Sequence, residues 1–326
     1  MTTHHLTLKS QENAAVVPLL AELKETHETI EDPELIRRAP VLARHLPERL
    51  LEFLEDFRLR EPSALCMISG FDIGFERLGP TPEHWRDSQF GSPAFEQEIF
   101  FLLCAAVLGD VFGWATQQDG RIMHDVLPIK GHEHYEIGSN SLQHLSWHTE
   151  DAFHPCRGDY VALMCLKNPD AVETVVCDAG TLDWASLDVD ALFAPEFTQM
   201  PDNSHLPQNA SQPTGSPAVD RLRRRSFELI QSWNENPVKR PVLFGDRQNP
   251  YLALDPYHMK TDGWSERSSR AFSELVDQIE ANLVGVPLRP GDLVFLDNFR
   301  AVHGRKSFHL RGSRAWRPTP DGRVIY

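Results

Sequence analysis

The sequence predicts a single domain, residues 1–326, built as a β-sandwich or jelly roll wrapped by helices: mainly β, with surrounding helices. Three observations predict it. Helix-period apolar spacing dominates the start of the chain, short apolar runs dominate the middle and end, and no internal repeat is visible. The chain has 326 residues, 41% of them hydrophobic, with 24 Pro and 19 Gly, enough to bury a sizeable core.

Residues 1–60 read as a helical outer layer. Leu19, Leu20 and Leu23, then Leu50, Leu51, Leu54 and Phe57, recur at helical spacing among charges, and Pro33, Pro40 and Pro47 divide the region into short helices. Residues 64–71 are apolar and end in a glycine turn, which predicts a buried strand. Glu96 to Gly113 is apolar on most faces and predicts a buried helix. Arg121 to Ile129 is read as a strand. His132, Glu133, His134 and Glu136 follow in a loop read as exposed rather than metal-binding. Strand signals resume at 159–166 and 172–177. Residues 195–225 begin with a Pro-, Asn- and Ser-rich stretch too long for a plain connection, which suggests a lid insertion. A helix-like run covers 219–229. Strands are expected at 241–244 and 251–254. Phe272, Leu275, Ile279 and Leu283 form one stripe of an amphipathic helix over 265–282. Pro290-Gly291-Asp292 then turns the chain into an apolar strand that aims residues 298–303 inward.

The formal net charge of −15 argues against general binding to nucleic acid or an anionic membrane. Arg221 to Arg225 reads as a solvated helix face. No apolar run reaches the ~20 residues of a membrane span, and the first residues carry no signal-peptide pattern. Five scattered cysteines with no C-x-x-C pair fit reduced thiols and a cytoplasmic location. Cys156 lies close to the residues discussed next but reads as a small apolar residue rather than a ligand.

The chemistry is concentrated in Ser146-Trp147-His148-Thr149-Glu150-Asp151-Ala152-Phe153-His154-Pro155 and in Asn298 to Arg305. On a strand, residues i and i+2 share a face, so His148 and Glu150 are expected to project together. His303 supplies a third ligand. Two histidines and a carboxylate that leave coordination positions open form the facial triad of non-haem Fe(II) oxygenases.

With these motifs, Leu254-Asp255-Pro256-Tyr257 and Gly113 to Gly120, the chain resembles the clavaminate synthase-like branch of the Fe(II)/2-oxoglutarate dioxygenases. The likeness extends over about residues 60–310. Within the branch it is most similar to β-hydroxylases of arginine and enduracididine. The resemblance implies a double-stranded β-helix core of the cupin-like type, with Fe(II) held by His148, Glu150 and His303. It implies an arginine that pairs with the far carboxylate of 2-oxoglutarate, a task suited to the planar guanidinium fork. The segment after His303 is shortened here. Arg317 keeps the expected distance and Arg314 keeps a Gly-Ser-Arg context, so both stay open. The resemblance also assigns Thr174 to the co-substrate. Gln117, near the α-amino end, Asp255, near the side-chain end, Tyr257 and Ser139 are assigned to the substrate.

The implied activity is hydroxylation of a free amino acid, arginine or a cyclic guanidino derivative, at an unactivated carbon near the α-centre. Fe(II), 2-oxoglutarate and O₂ would carry it, in specialised metabolism such as antibiotic biosynthesis. Relatives place a second acid where Tyr257 stands, and Tyr257 is expected to stack on the flat cation instead. Three alternatives are a catalytically silent metal-binding relative, a hydroxylase of a neutral amino acid such as asparagine, and a zinc hydrolase on a similar barrel.

Overall fold

The structure is a computed structural model that describes residues 3–88, 91–127, 129, 145–206, 216–307 and 323–325. A short strand β1 (His4–Thr7) leads into helices α1 (Ser10–Thr26), α2 (Pro33–Leu42) and α3 (Glu48–Arg60), then strand β2 (Leu65–Ser69) and helix α4 (Phe95–Leu108). The prolines act largely as the spacing predicts. Pro33 opens α2, where the Asp32 carboxylate accepts from the Glu34 amide at 2.8 Å. Pro47 immediately precedes α3, whereas Pro40 is accommodated within α2. Helix α3 buries Leu50, Leu54 and Phe57 on one face. Helix α4 is buried nearly all round, through Ile99 to Cys104, because α1, α2 and α3 cover it on one side and a sheet on the other. Phe71 stacks on Phe100 with ring centroids 4.0 Å apart, and Phe101 meets Phe295 of the sheet at 6.0 Å.

The remaining elements are mostly strands: β3 (Asp125–Val126), β4 (Leu145–His148), β5 (Tyr160–Lys167), β6 (Glu173–Asp178), β7 (Phe197–Gln199), β8 (Lys239–Arg240), β9 (Leu243–Gly245), β10 (Pro250–Leu252), β11 (Met259–Lys260), β12 (Val284–Pro287), β13 (Leu293–Asp297), β14 (Ala301–Arg305) and β15 (Arg323–Ile325). Three helices intervene: α5 (Val189–Leu192), α6 (Pro217–Glu235) and α7 (Glu266–Asn282). Two sheets dominate. One has the order β1-β2-β13-β5-β15-β3 and the other β12-β6-β14-β4, antiparallel except for the β1–β2 pair. Side-chain alternation explains the layering. Leu65, Val161, Val294 and Leu296 of the larger sheet share one apolar cluster with Val176 and Ala301 of the smaller. The opposite face of the larger sheet, with Ile68, Met164, Leu293 and Phe295, packs under α4. The opposite face of the smaller, with Trp147, Cys177 and Val302, packs with Ala271, Leu275 and Ile279 of α7.

Glycine is required at two junctions. Gly291, at φ +90°, passes so close to the Phe71 carbonyl that a Cβ would lie 2.3 Å from it. A Cβ at Gly304 would lie 2.6 Å from the Leu145 carbonyl, so the residue after His303 must be bare for β4 to approach β14.

Two expectations need correction. Residues 121–129 do not form a full strand. Among the described residues only Asp125–Val126 pairs, because the Glu31 carboxylate accepts from the Ile122 amide at 2.9 Å and the Met123 amide at 3.2 Å. Nor is 195–220 one long loop. Phe197 is buried against Trp264 and Phe272 in β7, and Pro217 starts α6. Within α6, Arg223 is buried and pairs with Asp119 at 3.0 Å, while Arg221, Arg224 and Arg225 are not buried. The loop 132–136 lies outside the described residues.

One stability prediction arises here. Asp297 ends β13, and burial raises its carboxyl to about 6 although the Phe299 amide donates to it at 2.9 Å. Between its unfolded value and about pH 6, the folded chain holds a proton that the unfolded chain has released. This contribution to stability is therefore present at low pH and lost as pH rises through that window, by on the order of 2 kcal/mol. Asp297→Asn should match the parent near pH 4 and exceed it by about 1–2 kcal/mol at pH 7.5. Urea melts at both values check this, and an equal difference at both would contradict it.

Candidate metal centre

His303 on β14 lies directly opposite His148 on β4. Register partners in an antiparallel pair share a face, so the two imidazoles meet, with ring centroids 4.7 Å apart. Glu150 completes the group. Its Oε2 lies 3.3 Å from His148 Nε2 and 3.4 Å from His303 Nε2, and one donor atom from each residue falls within 4.8 Å of the others. The route to this arrangement differs from the expected one. Strand β4 stops at His148, and Glu150 sits in the turn that follows, where Asp151 takes a left-handed φ of +50°. The turn, rather than strand alternation, brings the carboxylate back between the histidines.

Two of the three candidate ligands are held from behind. His148 Nδ1 donates to the Ser146 carbonyl at 2.8 Å, which leaves Nε2 as the coordinating nitrogen. Asn298 clamps the Glu150 peptide: its Oδ1 accepts from the Glu150 amide at 2.7 Å, and its Nδ2 donates to the Glu150 carbonyl at 3.1 Å and the Gly158 carbonyl at 2.9 Å. Burial would raise the Glu150 carboxyl, but the neighbouring imidazoles hold it well below the ordinary carboxylate range. Burial likewise opposes charge on His148, yet Glu150 lifts it to about 10; His303 is lowered by burial and by the charge on His148. A divalent cation suits this donor set.

The substrate-side residues divide. Thr149 is fully buried and ties the metal loop to Leu254: its amide donates to the Leu254 carbonyl at 2.9 Å and its hydroxyl accepts from the Leu254 amide at 3.0 Å. Asp255, the next residue, is thereby set beside the histidines, and its charge acts on both. Its Oδ1 accepts from the amides of Tyr257 at 3.1 Å and His258 at 3.3 Å, and its Oδ2 accepts from His258 Nδ1 at 2.7 Å. Asp255 is thus both the turn cap that Asp-Pro suggests and a carboxylate close to the metal site. Burial raises its pKa, but His258 and the nearby His148 hold it below the ordinary value. Gln117 donates to the Ser204 hydroxyl at 2.7 Å. Tyr257 is 53% exposed, with its ring edge-on to His258. Thr174 lies on β6 opposite Arg305, on the face of the sheet that carries His303. Ser139, Arg314 and Arg317 lie outside the described residues.

Several contributors gave no signal that the sequence reading used. Asn298 sits inside a quoted motif, but its clamp spans 148 positions. His205, 1% exposed, joins Asp151 and Thr116. Arg305 follows His303 by two positions on the same strand face, and burial lowers its guanidinium to about 10. Asp202 caps the turn Asn203–His205 and acts electrostatically on both His205 and His258.

Two packed sheets that hold two histidines and a glutamate at one end define the class: a non-haem Fe(II) oxygenase. Comparison with known proteins specifies it further. Residues 99–319 match the taurine catabolism dioxygenase TauD, TfdA family, and the chain belongs to that family. It is 70% identical to the L-ornithine/L-arginine 3-hydroxylase of Catenulispora acidiphila, over 99% of this chain and all of that one. It is 40% identical to the enduracididine beta-hydroxylase of Streptomyces hygroscopicus, over 95% of this chain and 92% of that one. Among solved structures it is similar to the non-heme iron oxygenase OrfP in complex with Fe, succinate and (3S)-hydroxy-L-Arg. The TM-score is 0.87 at 38% identity, covering 98% of this chain and 92% of that one. The chain is an Fe(II)/2-oxoglutarate-dependent dioxygenase, which sets aside the zinc-hydrolase alternative. No helix among the described residues is long and apolar enough to cross a membrane.

Proposed function

We propose that this dioxygenase hydroxylates a free cationic amino acid, arginine, ornithine or a cyclised arginine derivative, at the carbon next to the α-centre. The carrying observation is Asp255, a half-buried carboxylate held beside the two histidines by the Thr149–Leu254 hydrogen bonds. The relatives named above support the reading. A half-buried acid recognises an ammonium or a guanidinium, and Tyr257 stays assigned to stack on a flat cation. We assign His148, Glu150 and His303 as the iron ligands, the two sheets as a double-stranded β-helix and 1–60 as its helical cover. Residues 195–225, with the start of α6, are assigned as the covering segment. The free thiols support a cytoplasmic location, and specialised metabolism is the expected setting.

Bound Fe(II) with 2-oxoglutarate and O₂ supplies an oxidant able to take hydrogen from an unactivated C–H, with succinate and CO₂ as co-products. The chain's own residues do the rest. Asp255 fixes the cationic end, Gln117 sits where the α-amino end is expected, and the Asn298 clamp keeps the Glu150 carboxylate aimed. Ser139 and Thr174 remain assigned to substrate and co-substrate. The covering segment limits water near the reacting carbon.

Arg317, at the expected distance from His303, and Arg314, in its Gly-Ser-Arg context, both stay open as the co-substrate anchor. Loss of a buried charged pair costs roughly 2–5 kcal/mol, so with Arg317 as the anchor, Arg317→Ala should raise the 2-oxoglutarate KM more than tenfold and Arg314→Ala far less. The reverse ranking makes Arg314 the anchor. To test the reading as a whole, 2-oxoglutarate is added to anaerobic Fe(II) protein and the visible charge-transfer band is followed while arginine, ornithine and asparagine are titrated. The band should form and be perturbed by the two cationic amino acids. No band would indicate a catalytically silent relative, and a response to asparagine alone would indicate a neutral-amino-acid hydroxylase.

A further inference from the structure

Asp151 directly follows a metal ligand and adopts a backbone conformation unfavourable for a residue with a side chain, φ +50°. Its side chain is fully engaged. Oδ2 accepts from the Trp114 indole at 2.5 Å and Oδ1 accepts from His205 Nε2 at 2.7 Å. The other nitrogen of His205, Nδ1, pairs with the Thr116 hydroxyl at 2.7 Å. One imidazole, 1% exposed, therefore joins the loop that carries Glu150 to the loop that carries Gln117. The residue before it, Ser204, accepts the hydrogen bond from Gln117. The same region docks α6 on the metal loop: Trp233 packs edge-on against Phe153 at 6.2 Å and His154 at 5.1 Å, and Phe153 meets the His205 ring at 5.3 Å.

We propose that His205 is a positioning residue, the latch through which the turn Asn203–His205 and helix α6 are seated on the metal loop and on Gln117 together. It touches neither metal ligand nor substrate. It fixes Asp151, and so the turn that presents Glu150; through Thr116 and Ser204 it fixes the loop of Gln117. An amino acid that engages Gln117 tightens the same network that aims the Glu150 carboxylate. Co-substrate oxidation is thereby tied to the presence of a correctly seated amino acid. The inference rests on the proposed function for its kinetic readout, but its structural readout needs no substrate.

Two variants test it, His205→Ala and the milder Thr116→Val, which removes one hydrogen bond from the same imidazole. The substrate-free readout is tryptic cleavage at Arg221, Arg224 and Arg225 of α6, with the thermal midpoint measured alongside. Both variants should be cut faster than the parent, His205→Ala at least fivefold, at a temperature where both remain folded. The kinetic readout is hydroxylated arginine or ornithine formed per succinate. It should fall from near one to below about one half in His205→Ala, with the amino-acid KM raised at least fivefold and the 2-oxoglutarate KM within twofold. His205→Gln keeps an N–H donor for Asp151 and should recover part of the coupling. Parental cleavage in both variants overturns the latch, as does parental coupling with an unchanged amino-acid KM. A parent that hydroxylates neither amino acid refutes the substrate reading instead, and the cleavage assay then decides the latch alone.

Discussion

His303→Ala should abolish Fe(II)-dependent succinate formation, and His148→Ala should do the same. Both imidazoles point at one Glu150 oxygen, 3.4 and 3.3 Å away. Removing either leaves two protein ligands, which no longer fix three adjacent coordination positions. The fold should survive, because the apolar cluster between the sheets includes neither histidine. Succinate assays of each variant, with a circular-dichroism melt as control, measure this. Turnover at the parental rate in either would remove that histidine from the ligand set.

Asp255→Asn should lower kcat/KM for arginine and ornithine by about 10–100-fold, the range expected from losing one charge-assisted hydrogen bond of roughly 1.5–3 kcal/mol. Asn keeps an oxygen that can accept from the Tyr257 and His258 amides, so the turn itself should hold. The lost charge is the one set beside the histidines, and 2-oxoglutarate binding should be nearly unchanged. An equal loss on 2-oxoglutarate would mean that the variant disturbs the metal site. No loss on the cationic substrates would remove Asp255 from recognition.

The candidate ligand set was legible because the chemistry needs particular residue types in short motifs, and the structure gathers His148, Glu150 and His303 from two compact stretches with one donor atom each within 4.8 Å of one another. The means of bringing them together was less legible. Alternation along a strand predicted that His148 and Glu150 would project together, but the chain leaves the strand after His148 and the turn at Asp151 does the placing. A left-handed aspartate carries no local sequence mark; its reason is the indole and imidazole that hold it, 37 and 54 positions away. The Asn298 clamp was invisible for the same reason. The helical layer was readable because its period is local: Leu50, Leu54 and Phe57 recur at helical spacing and are buried together. Residues 121–129 misled because their apolar composition suited a strand while the Glu31 carboxylate took the backbone amides of Ile122 and Met123.

Mass spectrometry of a panel of free amino acids incubated with the protein, Fe(II), 2-oxoglutarate and air tests the substrate and the chemistry together. The panel should hold arginine, ornithine, a cyclic guanidino amino acid, lysine, asparagine and glutamine. One added oxygen on arginine or ornithine, matched by succinate and lost when iron is withheld, is the predicted result. Oxygen added only to asparagine or glutamine, with every cationic amino acid untouched, would contradict it.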